Sequence, residues 1–223
     1  MSQIQYTELN SLLIYKDYII GADECGYGSL AGSLVVVGVR AHKNWTLAGL
    51  NDSKKLSAKK RDALLLPLMK LVQNKEISYH LAERSNAEID KVGVAVALKD
   101  AYVECFKALY QEDCLIISDG ILKFDGLGVD DYDKVSVIKA DAKFPTVMAA
   151  SIIAKTYRDD KMHQLHHTYP NYGWDSNVGY GAKDHLAAIE KYGPCPLHRF
   201  SYAPMKNMKI ADPRQLTLDF GEK

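Results

Sequence analysis

The chain reads as a mixed α/β protein, a five-stranded sheet with helices on both faces. Three observations predict this. Short runs rich in Ile, Val and Leu end at glycine or Asp-Gly turns, longer segments carry helix-start signals, and three early strands precede strands that alternate with helices. A length of 223 residues and a hydrophobic content of 47% are enough for one sizeable core.

The elements follow in order. Residues 19–22 and 34–39 read as buried strands joined by a glycine-rich turn. Ser57 is placed to cap a helix reaching about Gln73, which Pro67 should bend or interrupt. Residues 77–81 alternate as a half-buried strand does. Ser85-Asn86-Ala87-Glu88 matches a capping box and opens a helical region through about Tyr110. Residues 114–117 form a short apolar run that exits at Ser118-Asp119-Gly120, and residues 135–138 give a fifth strand. A long helix is predicted from Thr146 to about His167, with Ala149, Ala150, Ser151 and Ala154 permitting close packing. Residues 169–181, rich in Gly, Pro, Asn and aromatics, should be loop, and residues 182–191 a last helix. From about Ile210 the chain reads as a flexible tail.

Composition narrows the class. No apolar stretch approaches bilayer length, and residues 1–18 mix polar and charged side chains unlike a secretory signal. Cys25, Cys105, Cys114 and Cys195 form no CxxC pair, which predicts a reduced, cytoplasmic protein and argues against a zinc ribbon. With 28 basic and 28 acidic residues the net charge is zero, so a nucleic-acid enzyme of this composition must separate an acidic centre from basic flanks. Lys54, Lys55, Lys59, Lys60 and Arg61 cluster early, and Arg199, Lys206, Lys209 and Arg214 late; solvated helix faces are the alternative.

The strongest local feature is Asp23-Glu24, at the end of an apolar strand and before Cys25-Gly26-Tyr27-Gly28. Neighbouring strand residues face opposite ways, so two adjacent carboxylates share a site only where the chain bends; the glycines supply a bend. Asp119 ends a second strand and Asp141 precedes the long helix. Four carboxylates at strand ends on one sheet edge would hold Mg²⁺ or Mn²⁺, though acidic residues near turns also cap backbone. His163 and His167 stand one helical turn apart, a spacing that permits a zinc pair, but no further ligand is evident nearby and a solvated helix end is the better reading.

Six ordered blocks resemble ribonuclease HII: residues 21–32, Asn51 to Ser57, Ser118-Asp119-Gly120, Ala140 to Lys143 with 149–155 and Arg158-Asp159, Gly179-Tyr180-Gly181 through His185, and His198 to Tyr202. The resemblance covers roughly residues 18 to 205. It implies a ribonuclease H-like fold with a C-terminal helical extension, residues 1–209 as catalytic domain, and residues 210–223 as tail. It also implies Asp23, Glu24, Asp119 and Asp141 as catalytic metal ligands for two Mn²⁺ or Mg²⁺ ions, with 5′-phosphate and 3′-hydroxyl products.

The implied substrates are RNA–DNA hybrids and DNA containing ribonucleotides, met by a monomer without membrane contact. Sugar reading falls to Gly26, Tyr27, Gly28 and Tyr180, the 2′-hydroxyl being what separates RNA from DNA. Here the sequence departs from the family, since Tyr27 stands where arginine is usual and Ser29 and Ser33 replace prolines. Lys54, Lys143, Lys155 and Arg158 are candidate phosphate contacts or, equally, structural ion-pair partners. Gln215, Leu216, Leu218 and Phe220 resemble the peptide that binds the bacterial sliding clamp. The rival readings are a ribonuclease H restricted to hybrids, a non-catalytic clamp-tethered binder, and a DNA-specific nuclease of the same broad fold.

Overall fold

The computed structural model describes residues 9, 11–51, 53–119 and 128–208, without the side chains of Lys54 and Asp119. Five strands, β1 (Tyr18–Cys25), β2 (Leu34–His42), β3 (Ile77–Arg84), β4 (Cys114–Asp119) and β5 (Lys134–Val137), form one sheet in the order β3-β2-β1-β4-β5. β1 pairs antiparallel with β2 from Tyr18 opposite His42 to Cys25 opposite Val35, and parallel with β4 from Tyr18 beside Cys114 to Ala22 beside Ser118. β4 and β5 are parallel. The mixed five-stranded sheet is therefore as the strand pattern predicts. β1 and β4 are central because their near-continuous apolar runs are buried on both faces.

The helices whose full bounds lie among the described residues include α1 (Ala58–Gln73), α2 (Asn86–Val92), α3 (Val94–Leu109), α4 (Pro145–Thr168), α5 (Trp174–Asn177) and α6 (Lys183–Tyr192). Ser57 caps α1 by accepting from the Lys60 amide, and Ser85 and Glu88 form the expected capping box on α2. Three expectations are corrected. Pro67 sits inside α1 without ending it, because Leu68 is fully buried and Leu64, Leu65, Met69, Leu71 and Val72 pack on the same cluster, outweighing one lost hydrogen bond. The helical region after Ser85 divides at Gly93, whose φ of 84° no helix accommodates. Residues 169–181 are not all loop, since they hold a 3₁₀ turn at Pro170–Tyr172 and the short α5, with Trp174 fully buried.

The chain divides into two compact units: Met1–Cys25, Val35–Glu83 and Leu98–Tyr157, and then Gly26–Leu34, Arg84–Ala97 and Arg158–Lys223. The first contains the sheet. On one face Ile20, Ala22 and Val36 pack with Ala101, Tyr102, Cys105 and Phe106 of α3. On the other, Val35, Val37 and Val39 meet Leu68 of α1 and Ala149, Ala150 and Ile153 of α4. A Cβ at Gly21 would lie 2.4 Å from the Val147 amide nitrogen, so only glycine lets the start of α4 approach β1 this closely. The second unit is built around Trp174, Tyr172, Met162, Ile189, Leu30 and Ala31. The expected tail from residue 210 lies outside the described residues.

Candidate active site

Strand pairing continues past both acidic residues of β1 to Cys25, and the turn begins only at Gly26, whose φ is 91°. Asp23 and Glu24 therefore leave opposite faces of the strand, rather than being brought together by a bend between them. Glu24 shares the face of Ile20 and Ala22, where its Oε2 accepts a hydrogen bond of 2.5 Å from the Tyr102 hydroxyl of α3. Asp23 takes the other face and is buried, 6% exposed. Tyr102 is a residue that sequence reasoning missed; a tyrosine within an apolar helix carries no local signal that its hydroxyl meets a distant carboxylate.

Asp119 is the last residue of β4. Because Ala22 pairs with Ser118 in parallel register, Asp23 and Asp119 are the next positions along two adjacent strands. Asp141 is 7% exposed and lies in a single 3₁₀ turn, Ala140–Ala142, which packs against β4. Lys139, in the left-handed conformation with φ 59°, turns the chain into it. The backbone thus carries three carboxylate positions to the carboxyl ends of two parallel strands. The donor set is oxygen only, which suits a hard divalent cation. Among the described residues no three His, Cys, Asp or Glu side chains gather as an ion's ligands; the Asp119 carboxylate is not one of those described, and His163 and His167 likewise assemble no site. The Lys143 ammonium donates to the Ile138 carbonyl at 2.9 Å, and Lys155 is half-buried on α4.

In the second unit the segment 26–33 is clamped through its carbonyls. Arg158, a candidate phosphate contact, is fully buried and committed elsewhere: its guanidinium donates to the carbonyls of Ser33, Val178 and Ala31 at 3.0, 2.9 and 3.1 Å and to the Ser29 hydroxyl at 2.8 Å. It is a scaffold for the turn, not a contact for substrate. Arg199, also fully buried, donates to the carbonyls of Gly32 and Tyr27 at 3.1 and 2.8 Å. Gly26 must be glycine, since a Cβ there would meet the Arg158 Nε at 2.2 Å. The Tyr180 hydroxyl accepts from the Gly26 amide at 3.2 Å, and the Arg158 guanidinium lies 5.2 Å from the Tyr180 ring centre. Tyr27, 44% exposed, is free of the core.

Behind Tyr180 lies a buried histidine pair that sequence reasoning registered only as motif letters. The Trp174 indole donates to His185 Nε2 at 3.1 Å, His185 Nε2 is 3.2 Å from His198 Nε2, and His185 Nδ1 is 2.8 Å from the Tyr180 carbonyl. Burial, aided by the neighbouring His185, pushes the His198 pKa down to about 4, and burial lowers that of His185.

A mixed sheet of this order with helices on both faces defines the ribonuclease H-like class of α/β proteins. The ribonuclease HII family model matches residues 20–205. Ribonuclease HII of Oceanobacillus iheyensis is 41% identical over 190 residues, 84% of this chain and 69% of that protein. The enzyme of Chlamydia pneumoniae is 40% identical over 199 residues, 88% of this chain and 89% of that protein. A solved complex of PCNA with ribonuclease HII from Archaeoglobus fulgidus shares the fold, with a TM-score of 0.68 at 24% identity over 88% of this chain and 98% of that one. The chain belongs to the ribonuclease HII family, and is an endoribonuclease that hydrolyses the RNA strand of RNA–DNA hybrids. Among the described residues no helix is long and apolar enough to cross a membrane.

Proposed function

We propose that this ribonuclease also cuts on the 5′ side of single ribonucleotides embedded in DNA, leaving 5′-phosphate and 3′-hydroxyl ends. The observation that carries the reading is the hydrogen bond from the Gly26 amide to the Tyr180 hydroxyl. It joins the turn and the tyrosine to which the family resemblance gives sugar recognition, across 154 residues of sequence. Backbone groups of Gly26 and Gly28 and the Tyr180 ring read the ribose and its neighbouring deoxyribose without needing an arginine at position 27. Comparing cleavage of a duplex holding one ribonucleotide with an all-RNA/DNA hybrid tests this; activity on the hybrid alone defeats it and favours the restricted enzyme, a reading that Tyr27 keeps in view.

Asp23, Glu24, Asp119 and Asp141 would hold two Mg²⁺ or Mn²⁺ ions. Such ions, when bound, lower the pKa of coordinated water and stabilise a departing 3′ oxygen. The chain's own part is to hold these carboxylates in place, and the Tyr102 hydroxyl does so for Glu24. Asp23→Asn or Asp119→Asn should abolish cleavage while leaving the melting temperature near the parent value. Substantial metal-dependent turnover by either variant would remove these roles.

Residues 1–209 would act as the catalytic domain in the cytoplasm, in removal of misincorporated ribonucleotides and RNA primers. The tail would dock Leu216, Leu218 and Phe220 in an apolar groove of the sliding clamp with Gln215 fixing one end. These residues lie outside the described ones, and the support is their resemblance to clamp-binding peptides and the archaeal neighbour's complex with PCNA. Titrating the bacterial clamp with a peptide of residues 210–223 tests it; no binding at high micromolar concentration removes the claim.

A further inference from the structure

We infer that His185 and His198 are positioning residues that set the sugar-reading Tyr180 through a fixed, directional hydrogen-bond chain; the inference rests on the proposed role of Tyr180. The direction follows from donors that have no choice. An indole N–H can only donate, so His185 Nε2 must accept from Trp174, and the His185 proton is left on Nδ1, where it donates to the Tyr180 carbonyl. The Cys195 amide donates to His198 Nδ1 at 3.0 Å, and the Cys195 carbonyl already accepts from the His198 amide at 3.0 Å. His198 Nδ1 also lies 3.2 Å from that carbonyl, but a proton there would face the Cys195 N–H, so Nδ1 is assigned as the acceptor and the proton to Nε2, directed at His185 Nε2. In this pair of tautomers each N–H points at an acceptor, with the His185 Nε2 lone pair shared between the Trp174 indole and the His198 ring.

Tyr180 is held at both ends. Its carbonyl takes the His185 Nδ1 proton and the Ala182 amide at 2.8 Å each, and its hydroxyl takes the Gly26 amide. The peptide behind it is held as well, since the Asn177 side chain accepts from the Gly179 amide at 2.9 Å and the Tyr180 amide donates to the Asn177 carbonyl at 2.9 Å. Tyr180 is part-buried against the core rather than enclosed by it, so the chain of bonds fixes where a partly accessible ring stands. A plain packing role would be met by apolar side chains of similar volume; a chain in which each proton has one allowed seat is suited to orienting a residue whose position matters to less than an ångström.

The test uses the full-length enzyme. Nitrogen-15 NMR of the histidine rings should show His185 protonated on Nδ1 and His198 on Nε2 near neutral pH, and the reverse tautomers overturn the relay. In kinetics on a duplex with one ribonucleotide, His185→Leu should lower kcat/KM by about tenfold, whereas His185→Asn, which keeps a donor at the Nδ1 position, should stay within about threefold of the parent. On a Tyr180→Ala background His185→Leu should add nothing, because the ring whose placement it sets is gone even though the carbonyl remains. An equal loss on both backgrounds marks His185 as merely structural and defeats the inference while sparing the role of Tyr180. Tyr180→Ala cleaving at the parent rate defeats the role of Tyr180 and the relay with it. Should His185→Leu not fold, Trp174→Phe removes the indole donor with little change in shape, and it should release the His185 tautomer preference; an unchanged tautomer overturns the chain of donors.

Discussion

Glu24 and Tyr102 illustrate how a single hydroxyl can decide where a charge sits. Tyr102 is almost fully buried, and its only polar atom is spent on the Glu24 carboxylate. Tyr102→Phe removes that atom and nothing else, so the apolar packing with Ala101, Cys105 and Phe106 should survive. The expected result is a fall in kcat of about tenfold, worth ~1.4 kcal/mol of transition-state stabilisation, with little change in melting temperature. Steady-state kinetics beside a thermal melt checks both halves. A second residue-scale prediction concerns His198. Its ring faces His185, Tyr172, Trp174 and the Cys195 backbone amide, and burial holds its pKa at about 4 against an ordinary value near 6.5. A base whose folded pKa is depressed is neutral in the native state and takes up a proton on unfolding. Its contribution is therefore complete above pH 6.5 and lost as pH falls from 6.5 toward about 4, a change of roughly 3 kcal/mol. Urea unfolding at pH 7 and pH 4.5 should show a smaller difference for His198→Gln than for the parent.

At the scale of elements, the contact between β1 and the start of α4 is the sharpest constraint. The Val147 amide and the Thr146 hydroxyl occupy the space a side chain at position 21 would need. Gly21→Ala must push α4 from the sheet, and with it the adjoining chain that carries Asp141. A destabilisation of about 1–3 kcal/mol is expected, together with loss of activity beyond what the melting temperature explains. Thermal melts and hydrogen exchange across α4 measure the first, and a cleavage assay well below the melting temperature the second. Asp90 of α2 shows the same economy of means: its carboxylate accepts from the amides of Phe200 and Ser201, both at 2.9 Å, tying a late loop to an early helix.

For the whole molecule, a net charge of zero means that attraction to a duplex must come from local separation of charge rather than from a global field. Affinity for a non-cleaved duplex should then fall steeply with added salt, with a slope that reports only the few phosphates engaged. Lys143→Ala should lower the slope by up to about one unit. Arg158→Ala should instead cost stability, because Arg158 supports the carbonyls of Ala31, Ser33 and Val178 from within. Fluorescence anisotropy over a salt series, run beside thermal melts, separates these two kinds of basic residue.

Period and punctuation in the amino-acid order alone were enough for the five strands, the long helix α4, the caps at Ser57 and Ser85, and the family to which the chain belongs. These depend on interactions between near neighbours, or on motifs that keep their spacing. Tertiary packing decided the rest. Pro67 stays helical because the apolar face of α1 is buried, a term no local propensity contains. Arg158 and Arg199 became internal braces because carbonyls of a segment more than a hundred residues away needed donors. Asp23 and Glu24, adjacent in sequence, were sent to opposite faces by a strand that continues past them, and Tyr102, Trp174, His185 and His198 acquired their roles only through partners brought close by folding. A hydrogen bond between side chains far apart in sequence leaves no periodic trace, so its donors and acceptors become visible only once the chain is folded.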